Sequence, residues 1–257
     1  MDYVPIAEAR NQPGLRLVMN KGVPGPWSQS AKYIFETKSI PYVPVAQLGG
    51  TPNDELYDWT AHRNAPIAIY DDEPPRIGWH EIVMLAERLA PDPSLLPTDS
   101  AARAEVFGII TEIASENGFA WQRRLQLIEG LNASPDKRVQ SGGATLASRY
   151  GFSEAALAAA ADWASEILVM LSARLHAQQE TGSDYFVGDT FTAADLYWAC
   201  FSQLVAPLDA SVNRMPGLIR DLYDVVGTAM AAAVDPILLA HRDRVYEKHL
   251  SLPLDFF

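Results

Sequence analysis

Between Pro91 and Pro97 the sequence changes character, and this change constrains the fold more than any other feature. The run Pro91-Asp-Pro-Ser-Leu-Leu-Pro97 holds three prolines in seven residues; they stiffen the chain and remove backbone donors, as a connector does. Before it, short apolar runs alternate with one-sided helical patterns. Beyond it only helical patterns occur. The expected architecture is therefore α/β followed by all-α, and 257 residues at 48% hydrophobic content suffice for two modest cores.

In the first part, Leu15-Arg-Leu-Val-Met19 has the length and apolar content of a strand, and Gly22, Pro24, Gly25 and Pro26 then make a turn. Proline suits a first helical turn, where its missing N–H costs nothing, and Ala31, Ile34 and Phe35 recur at helical spacing up to about Lys38. Pro41-Tyr-Val-Pro-Val45 reads as a second strand, Ile67–Tyr70 as a third and Arg76–Gly78 as a fourth, with Asp71–Pro75 as the hairpin turn between the last two. Ile82, Leu85, Ala86 and Leu89 mark a helical face that stops near Ala90 and Pro91. The order is β-α-β and then β-β-α.

The second part predicts helices over 100–131, 153–180, 193–206, 215–232 and 235–249, with an irregular stretch over 133–152. One helix start is unusually well marked. In Phe191-Thr-Ala-Ala-Asp-Leu196, Thr192 caps the helix, Asp195 reaches back to the N-cap N–H, and Phe191 staples to Leu196. That pattern is a folding signal for the bundle.

Charge and cysteine content exclude several functions. A formal net charge of −12 repels phosphate backbones and anionic lipid surfaces, so nucleic acid and membrane are not expected partners. Cys200 is the only cysteine, which excludes a disulfide framework, a zinc knuckle and a two-cysteine redox centre; amid apolar neighbours it reads as a buried structural thiol. The histidines at 62, 80, 176, 241 and 249 show no i, i+4 pair, so no metal is expected. No apolar stretch of about 18 residues lacks a charge, and the first 20 residues mix acidic and basic side chains; a cytoplasmic protein is expected.

Three stretches resemble the glutathione S-transferase superfamily, as an atypical bacterial-type member: Gly25-Pro-Trp-Ser28 running on to Tyr42, Asn64-Ala65-Pro66 with the acidic hairpin, and Tyr185-Phe-Val-Gly-Asp-Thr-Phe-Thr-Ala-Ala-Asp195. The resemblance implies a thioredoxin-like, glutathione-binding domain over 14–92, a linker over 93–99 and an all-helical domain over 100–257, assembled as a homodimer. Glutathione would be the cosubstrate, on the first domain, and a small hydrophobic electrophile would occupy the cleft between the domains.

Such an enzyme must hold glutathione as its thiolate, since a thiol of pKa near 8.5 is only a few per cent ionised at neutral pH. The family commonly places a Ser or Cys just before the first helix, where this chain has Gly25, so Ser28 is the nearest hydroxyl and the candidate catalytic residue, with an ordinary polar residue of the first turn bonding a free backbone N–H as the alternative. Ser30 and Tyr33 lie deeper. Trp27 is either a wall of the glutathione pocket or a domain-interface anchor. Ala65 and Pro66 are implied to form a cis-proline segment whose backbone pairs with the peptide. The family's acidic residue followed by Ser is replaced by Gly78-Trp-His-Glu-Ile82, where Glu81 is left to receive the ligand ammonium and His80 reads as a polar helix start. Phe107, Ile110, Phe119, Trp121, Arg123 and Arg124 are implied to face the acceptor pocket, with bundle core and a surface arginine pair as the plain alternative. The stretch from Asn132 to Arg149 is a mobile cover or a packed loop.

The expected function is conjugation of glutathione to an electrophile. The alternatives are a non-catalytic binding or scaffold protein of the same fold, and a glutathione-dependent dehalogenase-like enzyme.

Overall fold

The computed structural model describes residues 1–257 and divides into two compact units. The first comprises Met1–Leu96, Asp209–Pro216 and Tyr246–Phe257, and the second Pro97–Leu208 and Gly217–Val245. The sequence expectation of 14–92, 93–99 and 100–257 thus differs in two respects: the first thirteen residues join the first unit, and two stretches from beyond the linker return to it.

The first unit contains α1 (Ile6–Ala9), β1 (Leu15–Asn20), α2 (Pro26–Thr37), β2 (Tyr42–Gln47), α3 (Asp54–Thr60), β3 (Ile67–Tyr70) and α4 (Trp79–Leu89). The sheet order is β2-β1-β3, with β2 parallel to β1 through the α2 crossover and β3 antiparallel to it. The centre strand is buried from Leu15 to Met19, which is why it reads as a nearly continuous apolar run rather than an alternating one. The expected fourth strand is reduced to one bridge between Ala68 and Arg76. On the opposite edge Val4 bridges Val45, and Val4, Ile6 and Ala9 pack with Val18, Val45, Leu56, Ile67 and Ile69. The N-terminal segment therefore protects the β2 edge as an added strand does. Glu73, within the turn after β3, is gripped by Arg88 and by Arg76, which hold its carboxyl below the usual carboxylate range.

The second unit contains α5 (Ser100–Ala114), α6 (Phe119–Asn132), α7 (Lys137–Arg149), α8 (Glu154–Glu180), α9 (Ala193–Phe201) with a 3-10 turn Ser202–Leu204, α10 (Gly217–Asp224), α11 (Thr228–Ala233) and α12 (Pro236–His249), whose last residues belong to the first unit. The helix expected over 215–232 is divided into α10 and α11, and that expected over 100–131 into α5 and α6. The chain turns at Asn117, with a left-handed φ of 64°, and at Gly118, where a Cβ would lie 2.7 Å from the Glu112 carbonyl oxygen. The stretch expected to be irregular is largely helix α7. Asp136 starts it by accepting the Arg138 N–H at 2.8 Å, and Gly143 lets it lie against α6, where a Cβ would fall 2.4 Å from Asn132 Oδ1.

Helix α9 is buried from end to end. Its capping box forms as expected, Trp198 Nε1 donates to the Leu238 carbonyl at 2.9 Å, and Cys200 is fully buried. Arg123 is also buried; its guanidinium donates to the carbonyls of Leu204, Leu222 and Val225, and burial pushes its pKa down to about 10. Helix α8, with 27 residues and a stretch of mean hydropathy 1.4, is long and apolar enough to cross a membrane by length and composition alone. It bears the exposed Trp163, Val169 and Met170, and with α5 it lines a groove of about 640 Å³ rimmed by the Arg174–Glu105 ion pair.

Candidate active site

Asn20 ends β1, and the turn that follows delivers Pro26 as the first residue of α2. Gly25, just before the helix, has φ −66° and ψ 134°, a conformation open to any residue, and it offers no side-chain hydroxyl. Ser28 has its hydroxyl turned inward: it donates to Asn20 Oδ1 at 2.9 Å and accepts the Asn20 N–H at 3.1 Å, with no exposed surface. In this arrangement Ser28 fixes the turn and does not face a ligand. Of the two readings the sequence offers for Ser28, this geometry fits the polar first-turn residue bonded to a backbone N–H.

The bonds continue beyond Ser28. Asn20 Nδ2 donates to Gln47 Oε1 at 2.5 Å, and Gln47 Nε2 donates to the Arg63 carbonyl at 3.3 Å. A relay of side-chain amides thus ties the first turn of α2, through the ends of β1 and β2, to the segment before Pro66. Neither Asn20 nor Gln47 was singled out in the sequence. Their only signal is a polar residue closing each apolar strand.

The Ala65–Pro66 bond is cis, and both residues are partly exposed. Beside them His62, Arg63, Asn64 and Ile77 complete a depression of about 230 Å³. Glu81 stands close by in sequence to Ile77, yet its Oε2 accepts the N–H groups of Ile77 and Gly78 at 3.1 and 3.0 Å. That carboxylate caps α4, so its expected use for a ligand ammonium competes with a folding role. His80 is exposed, edge-on to the Trp79 ring. Trp27 is half-buried and its carbonyl accepts from the Ser30 hydroxyl at 3.0 Å.

The residues expected to face an acceptor are all in the second unit, and the structure separates them by environment. Ile110 and Phe119 are fully buried and belong to the core, as does Arg123. Phe107 is half-buried on α5. Trp121 and Arg124 converge on Tyr150 at the end of α7: the Trp121 and Tyr150 rings are 4.7 Å apart and the Arg124 guanidinium lies 5.6 Å from the Tyr150 ring. Tyr150 lies inside the stretch over 133–152 that the sequence reads as irregular, so nothing there marks it as a partner. No cluster of three or more His, Cys, Asp or Glu side chains is placed to hold a metal ion.

Residues 138–223 match the family model for the glutathione S-transferase C-terminal domain. No curated protein matches the chain. Among solved structures it is similar to a glutathione S-transferase from Methylobacterium radiotolerans JCM 2831 in complex with glutathione sulfonate, with a TM-score of 0.63 and 16% identity over 91% of each chain. It is also similar to a glutathione transferase family member from Pseudomonas fluorescens Pf-5 with two glutathione bound, with a TM-score of 0.60 and 16% identity over 96% of this chain and 98% of that one. A β-etherase from Sphingobium sp. strain SYK-6 gives 0.59 and 18% identity over 91% and 96%. At these identities the likeness to the solved structures is one of fold.

Proposed function

We propose that this chain, whose residues 138–223 match the glutathione S-transferase C-terminal domain and whose fold is similar to that of solved glutathione transferases, uses glutathione as a thiol cosubstrate at the start of α2, conjugating it to a small hydrophobic electrophile. The observation that carries the reading is the relay from Ser28 through Asn20 and Gln47 to the Arg63 carbonyl. It fixes, within one unit, the two backbone elements the chemistry needs: a helix N-terminus for the sulfur and the Ala65–Pro66 segment for the peptide. The relatives crystallised with glutathione or its sulfonate support the choice of thiol.

Activation of that thiol is modest in this chain. Lowering its pKa by about two units needs roughly 2.7 kcal/mol, whereas a helix N-terminus supplies about 0.3 to 1. With Ser28 turned inward and glycine at position 25, no side-chain hydroxyl of the first turn adds the remainder. A slow transferase follows. A binding protein without turnover is the second reading, favoured by Gly25 and by the engagement of Glu81 in capping α4.

Calorimetric titration with reduced glutathione tests both. The expected result is binding at millimolar strength or tighter, with Ser28→Ala leaving affinity within about twofold and costing about 1 to 2 kcal/mol in a denaturant melt, because the Asn20 groups lose their partner. No heat and no thermal shift at about 10 mM ligand would sink the glutathione reading, since protection scales with ligand over Kd. We further propose a cytoplasmic homodimer that uses the α5–α8 groove, where Trp163 and Met170 are exposed among the charged Glu105, Glu112, Glu166 and Arg174. Sedimentation at micromolar concentration should give a dimer mass, and Trp163→Glu a monomer; an unchanged mass for the variant would place the interface elsewhere.

A further inference from the structure

Residues Tyr246–Phe257 follow the bundle in sequence yet belong to the first unit, where they hold α2 and the turn before it at three points. Gln29 Nε2 donates to the Tyr246 hydroxyl, Tyr33 O–H donates to the Ser251 carbonyl, and the Gly22 N–H donates to the Phe256 carbonyl at 2.5 Å. Gln29 and Tyr33 are one helical turn apart, share a face and are buried. The segment is anchored by its own apolar side chains, with Leu254 and Phe256 buried at 5% and 0% exposure. A second returning stretch braces it: the Leu254 N–H donates to the Val212 carbonyl at 2.8 Å, and the Arg214 guanidinium lies 4.5 Å from the Phe257 ring centroid.

The contacts at Gly22, Gln29 and Tyr33 fall on the elements that present the start of α2. A helix terminus acts on a charge only within about its first turn, so a small displacement there changes how strongly a thiolate is favoured. We propose that residues 246–257 are a strap that fixes the β1–α2 turn and the first turns of α2, and thereby sets the ionisation of the thiol held there. The link to the thiol rests on the glutathione site proposed above; the strap itself does not. Tyr33 and Phe256 are positioning residues, acting through the helix and the turn.

The test uses the full chain carrying Tyr33→Phe or Phe256→Ala, with two readouts. Hydrogen exchange over residues 20–30 should quicken about tenfold or more in both variants while exchange in α9 stays as it was, the signature of local rather than global opening. For bound glutathione, thiolate absorbance followed against pH should show the thiolate fraction at neutral pH falling about threefold, with affinity held within about twofold. Phe256→Leu should restore both. Unchanged exchange over residues 20–30 overturns the strap, and faster exchange with an unmoved thiol titration overturns its control of ionisation. Should the unsubstituted protein bind no glutathione, the functional reading fails and the exchange measurement alone decides the strap. Tyr33→Phe removes a single hydroxyl, so it remains informative if Phe256→Ala does not fold.

Discussion

Asp195→Ala should cost the second unit about 3 to 5 kcal/mol and lower its melting temperature by roughly 10 °C, at about 2 to 4 °C per kcal/mol for a chain of this size. Four donors converge on that one carboxylate. The N–H of Phe186 and Nε2 of His241 reach Oδ1 at 2.8 and 2.9 Å, and the N–H and hydroxyl of Thr192 both reach Oδ2 at 2.8 Å. Asp195 has no exposed surface and Thr192 and His241 are each 2% exposed, so water cannot replace the lost acceptor. Each donor stranded in this way costs about 1 to 3 kcal/mol, offset in part by local relaxation. The capping box alone would account for only about 1 kcal/mol. The remainder comes from joining three elements: the 183–192 loop, α9 and α12. Asp195→Asn keeps the Oδ1 acceptor and should lose less than half as much, and His241→Ala, which removes one donor and leaves a cavity, should fall between. Urea unfolding followed by tryptophan fluorescence checks the order. An Ala variant melting within about 2 °C of the parent would contradict the hub.

The capping box shows which part of the fold the sequence made legible. Thr192 and Asp195 are three residues apart, so their geometry is local and readable; His241 lies 46 residues from Asp195 and could be found only in three dimensions. The same distinction runs through the chain. The β-α-β order at the start and the long helix up to Glu180 depend on turn residues and periodicity within short windows, while the cis bond at Pro66 is what the resemblance implies. Helix α7 was missed because its Gly142-Gly143 pair lowers intrinsic helicity, while the close approach to α6 that requires Gly143 is a tertiary event. The fourth strand shrank to a bridge because Arg76 pairs only with Ala68. For the site, position was legible and direction was not. Ser28 sits in the expected turn, but its hydroxyl orientation is decided by Asn20, eight residues upstream at the end of β1. Glu81 lies at the expected helix start, where the unpaired N–H groups of Ile77 and Gly78 bind it first. The return of Tyr246–Phe257 to the first unit left no mark in composition, because its bonds to Gly22, Gln29 and Tyr33 join residues more than 200 positions apart.

Gly25→Ser should raise turnover with glutathione at neutral pH about tenfold, the largest gain expected from any single substitution. The backbone already suits it, since φ −66° and ψ 134° are ordinary for an N-cap serine, and the added Cβ, 3.3 Å from Asn20 Oδ1, requires that amide to shift by only a few tenths of an ångström. A hydroxyl there has one hydrogen to donate and two lone pairs, so it can accept a first-turn N–H of α2 while donating to a sulfur in front of the helix. Donation to a charged sulfur contributes about 1.5 to 3 kcal/mol, or roughly one to two pKa units, which turns a thiol ionised to a few per cent into one ionised to about a quarter or more. Stability should change by only a few tenths of a kcal/mol, because serine exceeds glycine as an N-cap by about that amount. Ser28 cannot supply the same help by rotation, since leaving Asn20 would strand two buried groups for one gained bond. Thiolate absorbance against pH, in the parent and in Gly25→Ser, separates the outcomes. A fall in the thiol pKa of about one unit locates the sulfur at the start of α2 and identifies position 25 as the limit on activity. An unmoved pKa with glutathione still bound means that the sulfur lies away from this turn, and the thiol chemistry would then have to be built around the Ala65–Pro66 segment instead.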